Sequence, residues 1–368
     1  DMHNLEKVTK GILPTSAEWS VRAQKYLDGL AIPHGSLGEL LVLARRLAAM
    51  QETLTPSVKR KVIVTMAGDH GVVEEGISAF PQEVTRRMVD NFVRGGASIN
   101  VLADVVDANV LVVDMGVAAD LSDLVSYGRI TDCKVAHGTK NMAKEPAMTR
   151  DQAVRAIMSG VKIASKLIVE DGAQLLATGD MGIGNTTPSA AILSVMGGLP
   201  VSKTVGYGSG ISDAALEHKV QVIEQAISSN SPDSSDPIDV LAKIGGFEIA
   251  GIAGLILGAA YHKTPVIVDG FISTAGALIA QGLAPDSIDY MIASHCSVEP
   301  GHIHMWNTLG LTPLLNLGLR LGEGTGAAMA MNIVECAARV MTDVLTFEQT
   351  GISANEDLLR SSELSQAL

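Results

Sequence analysis

The chain has 368 residues, 47% of them hydrophobic and only 3% aromatic, with 37 glycines and a formal net charge of −13. Such an acidic chain without a Lys/Arg run is not built to grip nucleic acid, so any phosphate site must be local. Three scattered cysteines without a CxxC pair exclude a disulfide framework and a zinc-finger site, and point to reduced, buried thiols.

The first 50 residues and the last 60 or so show no strand-like alternation and read as mainly helical. The N-terminal segment DMHNLEKVTKG is polar and lacks the apolar core of a signal peptide. The first buried-strand pattern is KVIVTMAGDHG (61–71), followed by ANVLVVDMGV (108–117), AQLLATGDMGIGN (173–185), TPVIVDGF (264–271) and DYMIASHCS (289–297). Helical patterns lie between them, such as PQEVTRRMVDNFVRGGASINVLADVV and TRDQAVRAIMSGVKIASKLIVEDG, the latter with Thr149 or Asp151 as N-cap. Strands alternating with helices predict a doubly wound parallel α/β sheet, whose ligands bind beyond the carboxyl ends of its strands. SSNSPDSSDPID (228–239) reads as a surface loop. The longest apolar stretch, IAGIAGLILGAAYH, is shorter than the roughly 20 residues of a membrane span. No membrane segment and a cytoplasmic location are expected.

Polar motifs fall at the predicted strand ends. AGDHGVVEEG offers Asp69, His70 and Glu75 as metal ligands or as an acid/base group, against a structural role for Asp69 in its loop. TGDMGIGNTTPSAA carries Gly182 and Gly184, then Asn185, Thr186 and Thr187 before a helix start. That order of glycines, hydroxyls and helix N-terminus collects N–H donors for an anion. It lacks the lysine of a P-loop, so a monophosphate fits better than a triphosphate.

VGYGSGIS, with Gly206, Tyr207 and Gly208, is a truncated dinucleotide fingerprint. No acidic residue closes a strand about 20 residues on, which disfavours an NAD-dependent oxidoreductase. Lys219 follows on the next helical pattern, either reaching a phosphate or lying solvated on the surface. SHCSVEPGHIH gathers Ser294, His295, Ser297, Glu299, His302 and His304. There is no G-x-S-x-G elbow for a hydrolase, and His302 and His304 do not share a helix face for zinc. The segment LRLGEGTGAAMA sets Glu323 between Gly322 and Gly324, three residues after Arg320. It reads as a turn that presents one carboxylate and then opens a helix.

HGSLGELL, GDHGVVEEGISAFPQEVT, RGGASINVLA, GIGNTTPSAA, IGGFEIAGIAGLILGAA, VDGFISTAGALIA, SHCSVEPGH and LRLGEGTGAAMAM occur in one order along nearly the whole chain. So arranged, they resemble the nicotinate-nucleotide:dimethylbenzimidazole phosphoribosyltransferase family of cobamide synthesis. The resemblance implies a Rossmann-like sheet as a large domain over 31–299. It adds a small helical domain from 1–30 and 300–368, and a homodimer or a heterodimer with a paralogue. It implies transfer of phosphoribose from nicotinate mononucleotide to an aromatic acceptor, with no cofactor and no metal.

Glu323 matches the family's base. Gly182 to Thr187, Gly206 to Gly208, Lys219, Ser294 and Arg320 match the segments that hold the donor. Asp180 stands where relatives commonly carry Glu, so the shorter side chain puts a second carboxylate's help in question and leaves open a catalytically weak partner subunit. His34 replaces a peripheral proline. Phe80 and Met88 take acceptor positions where some relatives have Ser and Gln, and Met181 joins them. That apolar, adaptable lining is shared with relatives that use phenol or p-cresol.

Overall fold

Six parallel strands build the core of the computed structural model, which describes residues 1–353. They are β1 (Lys61–Gly68), β2 (Ala108–Gly116), β3 (Thr131–Asp132), β4 (Leu175–Met181), β5 (Val266–Val268) and β6 (Met291–Ala293), in spatial order β3-β2-β1-β4-β5-β6. The five predicted strands are present, each shorter than its sequence pattern. β3, a two-residue strand, carried no legible pattern.

The chain winds outward on one side from β1 and on the other from β4, so the order reverses between these two neighbours. Their carboxyl ends are where an open α/β sheet leaves a crevice. Met66 pairs with Asp180 and Ala67 with Met181 in this register.

Burial on both faces explains why the strands read as continuous apolar runs. The helix Phe247–Tyr261 is almost wholly buried, packed between the helices Arg150–Ser165 and Phe271–Leu283. Among the described residues no helix is long and apolar enough to cross a membrane. Thr149 caps Arg150–Ser165: its hydroxyl accepts from Gln152 N, and Gln152 bonds back to Thr149 N, a reciprocal capping box. The predicted long helix after Pro81 is two helices, Glu83–Arg94 and Ser98–Val105, parted at Gly95, whose φ of 76° is cheap only for glycine. Part of the expected 228–239 loop is helical: Asn230 ends one helix, and Asp236 caps the next by accepting from Ile238 N and Asp239 N.

The N-terminal helices meet the segment 325–347. The helix Glu39–Gln51 packs on both Ala17–Asp28 and Thr325–Asp343, and Ala31 N donates to Leu345 O while Phe347 N donates to Gly29 O. Residues 354–368 of the expected helical region lie outside the described residues. The thiols differ from expectation. All three are free, but Cys133 and Cys296 are only half-buried and Cys336 is exposed.

Candidate active site

A cleft of about 730 Å³ opens at the β1/β4 switch point. Its lining includes Phe80, Met88, Asp180, Met181, Gly182, Gly184, Asn185, Thr186, Tyr207, Gly208, Lys219, Arg320 and Glu323. Segments more than a hundred residues apart in sequence thus share one wall, as expected for loops at strand carboxyl ends.

Glu323 sits in a left-handed turn at φ 65°, an uncommon backbone for a non-glycine residue, flanked by Gly322 at 91° and Gly324 at 104°. Hydrogen bonds on every side hold that conformation. Glu323 N donates to Asp180 O at 3.2 Å, Thr65 Oγ1 donates to Glu323 O at 2.8 Å, and Gly324 N donates to Asp269 Oδ2 at 3.0 Å. Gly179 of β4 is glycine for the same reason: a Cβ there would run into the Glu323 carbonyl. The carboxylate is buried and accepts from Ile99 N at 3.4 Å. Burial raises its pKa; the Ile99 amide works against this and Asp269 with it.

Asp180 is buried at the cleft wall, and its carboxyl is pushed up to about 8, first by burial and then by Asp269. Asn185 Nδ2 donates to its Oδ2 at 2.9 Å, while its Oδ1 has no partner among the described residues. A carboxyl in that state is largely protonated at neutral pH and can donate as well as accept.

Lys219 is not the solvated surface lysine that its residue type favours. It is 1% exposed, and its Nζ donates to Thr186 Oγ1 at 2.7 Å and to Gly206 O at 3.3 Å. Burial pulls its pKa down to about 8, against the pull of Glu299. Thr186 opens the Thr186–Gly197 helix, so the ammonium and a helix N-terminus converge on one spot. Exposed Arg320 donates from Nη1 to Gly208 O at 3.3 Å at the rim.

Three expected contact residues stay behind the wall. Ser294 is fully buried, and its hydroxyl donates to Asp269 O at 2.9 Å. Thr187 is buried too, with its Oγ1 unpartnered. Gly206 does not line the cleft, and its carbonyl accepts from Lys219 Nζ.

The other polar motifs are framework. Asp69 Oδ2 accepts from Ala118 N at 2.8 Å, and Glu75 accepts from Asn141 Nδ2 at 2.7 Å. His70 pairs with Glu248 at 2.9 Å, both buried, directly behind Gly182, where a side chain would collide with the Gly68 carbonyl. His302 spends both ring nitrogens, on Ser297 N and Thr274 Oγ1. Among the described residues no three or more of His, Cys, Asp and Glu gather as a metal site.

Sequence reasoning gave no site role to Asp269 or Ser78, and named Glu299 and His295 only as members of a polar motif. Asp269 caps the Thr325–Asp343 helix through Gly324 N and Ala327 N. Glu299 accepts from Gly208 N at 3.0 Å. Ser78 lines the cleft together with the apolar Phe80, Met88 and Met181, and His295 lines it too. Only the SHCSVEPGH motif hinted at two of these.

The phosphoribosyltransferase family model matches residues 12–352. Sheet, switch-point cleft and sequence therefore define a phosphoribosyltransferase, an enzyme of the pentosyltransferase class. The nicotinate-nucleotide–dimethylbenzimidazole phosphoribosyltransferase of Syntrophotalea carbinolica is 54% identical over 352 residues, covering 96% of this chain and 99% of that one. The like-named protein of Geobacter sulfurreducens is 53% identical with the same coverage. A crystal structure of CobT from Thermus thermophilus superposes with a TM-score of 0.88 at 45% identity, covering 92% of this chain and all of that one. The chain belongs to the nicotinate-nucleotide–dimethylbenzimidazole phosphoribosyltransferase family.

Proposed function

We propose that the enzyme moves the phosphoribosyl group of nicotinate mononucleotide onto 5,6-dimethylbenzimidazole or onto a phenol such as p-cresol. Nicotinate and an α-riboside 5′-phosphate, the lower-ligand precursor of a cobamide, are the products. The names of the relatives supply nicotinate nucleotide and dimethylbenzimidazole. The observation that carries the reading is the placement of buried Glu323 and the Lys219–Thr186 pair in one cleft.

The chemistry needs few groups. The donor's leaving group is a pyridinium, so the C1′–N bond breaks with its electron pair neutralising the ring. The acceptor's nitrogen or oxygen attacks the opposite face of C1′ and passes its proton to Glu323. Lys219, Thr186 and the start of the Thr186–Gly197 helix hold the 5′-phosphate. Asp180, protonated near neutral pH and held through its Oδ2 by Asn185, has its Oδ1–H to offer the substrate. Phe80, Met88 and Met181 pack the acceptor ring.

The acceptor wall motivates the phenol branch. Its three large side chains offer no neutral donor or acceptor, and a phenol asks only for one proton acceptor, which Glu323 supplies. The test is the purified chain alone with nicotinate mononucleotide and a panel of benzimidazoles and phenols, with products weighed by mass spectrometry. Riboside phosphates from both classes support the proposal. Benzimidazole product alone removes the phenol branch. Activity seen only after a paralogous subunit is added would make this chain a supporting subunit, the alternative that Asp180 motivates.

A further inference from the structure

The cleft that holds Lys219, Thr186 and Glu323 must also take the donor's ribose, whose hydroxyls need acceptors when they leave water. His295 lines the same cleft, with its ring edge between Gly270 and Gly326. Gly326 lacks a side chain because a Cβ would overlap the imidazole. His302 packs edge-on at 5.8 Å between centroids, and Trp306 Nε1 donates to His295 O at 3.0 Å, so the ring is locked in place.

Its tautomer is fixed from behind. Ser294 Oγ lies 2.8 Å from His295 Nδ1 and gives its only proton to Asp269 O at 2.9 Å. Nδ1 must therefore carry the proton it shares with Ser294. The Asp269 carboxylate, 3.9 Å from Nδ1, favours the same arrangement. Nε2 is left with a lone pair, and no group among the described residues bonds it.

We infer that His295 Nε2 accepts a hydrogen bond from a ribose hydroxyl of the nucleotide donor, an assignment that rests on the donor proposed above. Burial holds the imidazole pKa down to about 4, so the acceptor stays neutral across the working range. The opposite tautomer would present Nε2–H and would suit the carboxylate of nicotinate instead.

The test measures dissociation constants by calorimetry for nicotinate mononucleotide and its 2′-deoxy and 3′-deoxy analogues. Wild type should bind one of the two analogues about 5- to 10-fold more weakly than the intact donor, the worth of one neutral hydrogen bond. His295→Asn keeps an amide at the Nδ1 position and loses Nε2. It should bind the intact donor more weakly by a similar factor and no longer distinguish that analogue. His295→Gln, with an oxygen near the Nε2 position, should recover part of the discrimination. Equal affinity of wild type for all three donors overturns the assignment, as does unchanged discrimination in His295→Asn. Wild type that fails to bind the intact donor at all would overturn the donor reading itself, and this assignment with it.

Discussion

The backbone N–H of Glu323 donates to the carbonyl oxygen of Asp180 at 3.2 Å, so the end of β4 and the glycine turn hold one another's acidic residues in place. The bond matters because it ties together two buried carboxyl groups that line one cleft. Each accepts one N–H, Glu323 from Ile99 at 3.4 Å and Asp180 from Asn185 at 2.9 Å, and Asp180 Oδ1 has no partner among the described residues. Burial raises both, and Asp180, which also faces the charges of Asp269, Glu248 and Glu323, is the one driven to about 8.

Replacing Glu323 by Gln keeps the side-chain size and removes the basicity. Turnover should fall about 10²- to 10⁴-fold, the usual contribution of a general base. Donor affinity should hardly change. Steady-state kinetics with titration of nicotinate mononucleotide separates the two effects, and near-normal turnover would show that another group takes the proton.

Removing Lys219 should act on the donor and spare the acceptor. Loss of a charge-assisted hydrogen bond predicts a rise of about 10- to 100-fold in the Michaelis constant for nicotinate mononucleotide after Lys219→Ala. The wild-type profile carries a matching signature. With the ammonium pulled down to about 8, its charge is lost as pH climbs past 8, so donor binding to the free enzyme should weaken there. A Lys219→Ala variant should lack that alkaline limb.

Acceptor preference should follow the cleft wall. Phe80 is 49% exposed at the mouth and Met88 half-buried on Glu83–Arg94. Phe80→Ser combined with Met88→Gln puts hydrogen-bonding groups where only hydrocarbon and sulfur now stand. The ratio of kcat/KM for 5,6-dimethylbenzimidazole over phenol should rise by about 1–3 kcal/mol in transition-state terms if one buried hydrogen bond forms. Competition assays with both acceptors in one tube read the ratio directly; no change would place the acceptor elsewhere.

Asp180 should leave a mark on stability. Its folded pKa of about 8 lies above the ordinary 3.8, so the folded state binds this proton more tightly than the unfolded chain does. The stabilisation is fully present below about 3.8 and is lost as pH rises towards 8. Asp180→Asn stays neutral throughout and can keep the Asn185 contact through its oxygen. Its Tm relative to wild type should therefore rise between pH 5 and pH 8.5. A difference that stays flat over that range would mean that the wild-type carboxyl does not titrate there.

Much of this enzyme was legible along the chain because the relevant signals are local. Apolar runs ending in Gly or Asp marked the strands, and glycines around Glu323 marked a turn that few residue types tolerate. The ordered motifs marked the family. Burial was not legible at Lys219, whose residue type alone favours solvent and whose pKa depends on the packing that encloses it. Nor did the motif SHCS say that Ser294 would turn away from the cleft to hold His295 from behind. Asp269 marked the end of a strand but not its hold on the Thr325–Asp343 helix, whose amides come from a distant segment. Periodicity and turn chemistry are properties of neighbours in sequence, so the chain itself determined the elements and their order. Desolvation, charge coupling and the facing of a ring nitrogen depend on groups brought together across the β1/β4 crevice, and only the tertiary structure decided them.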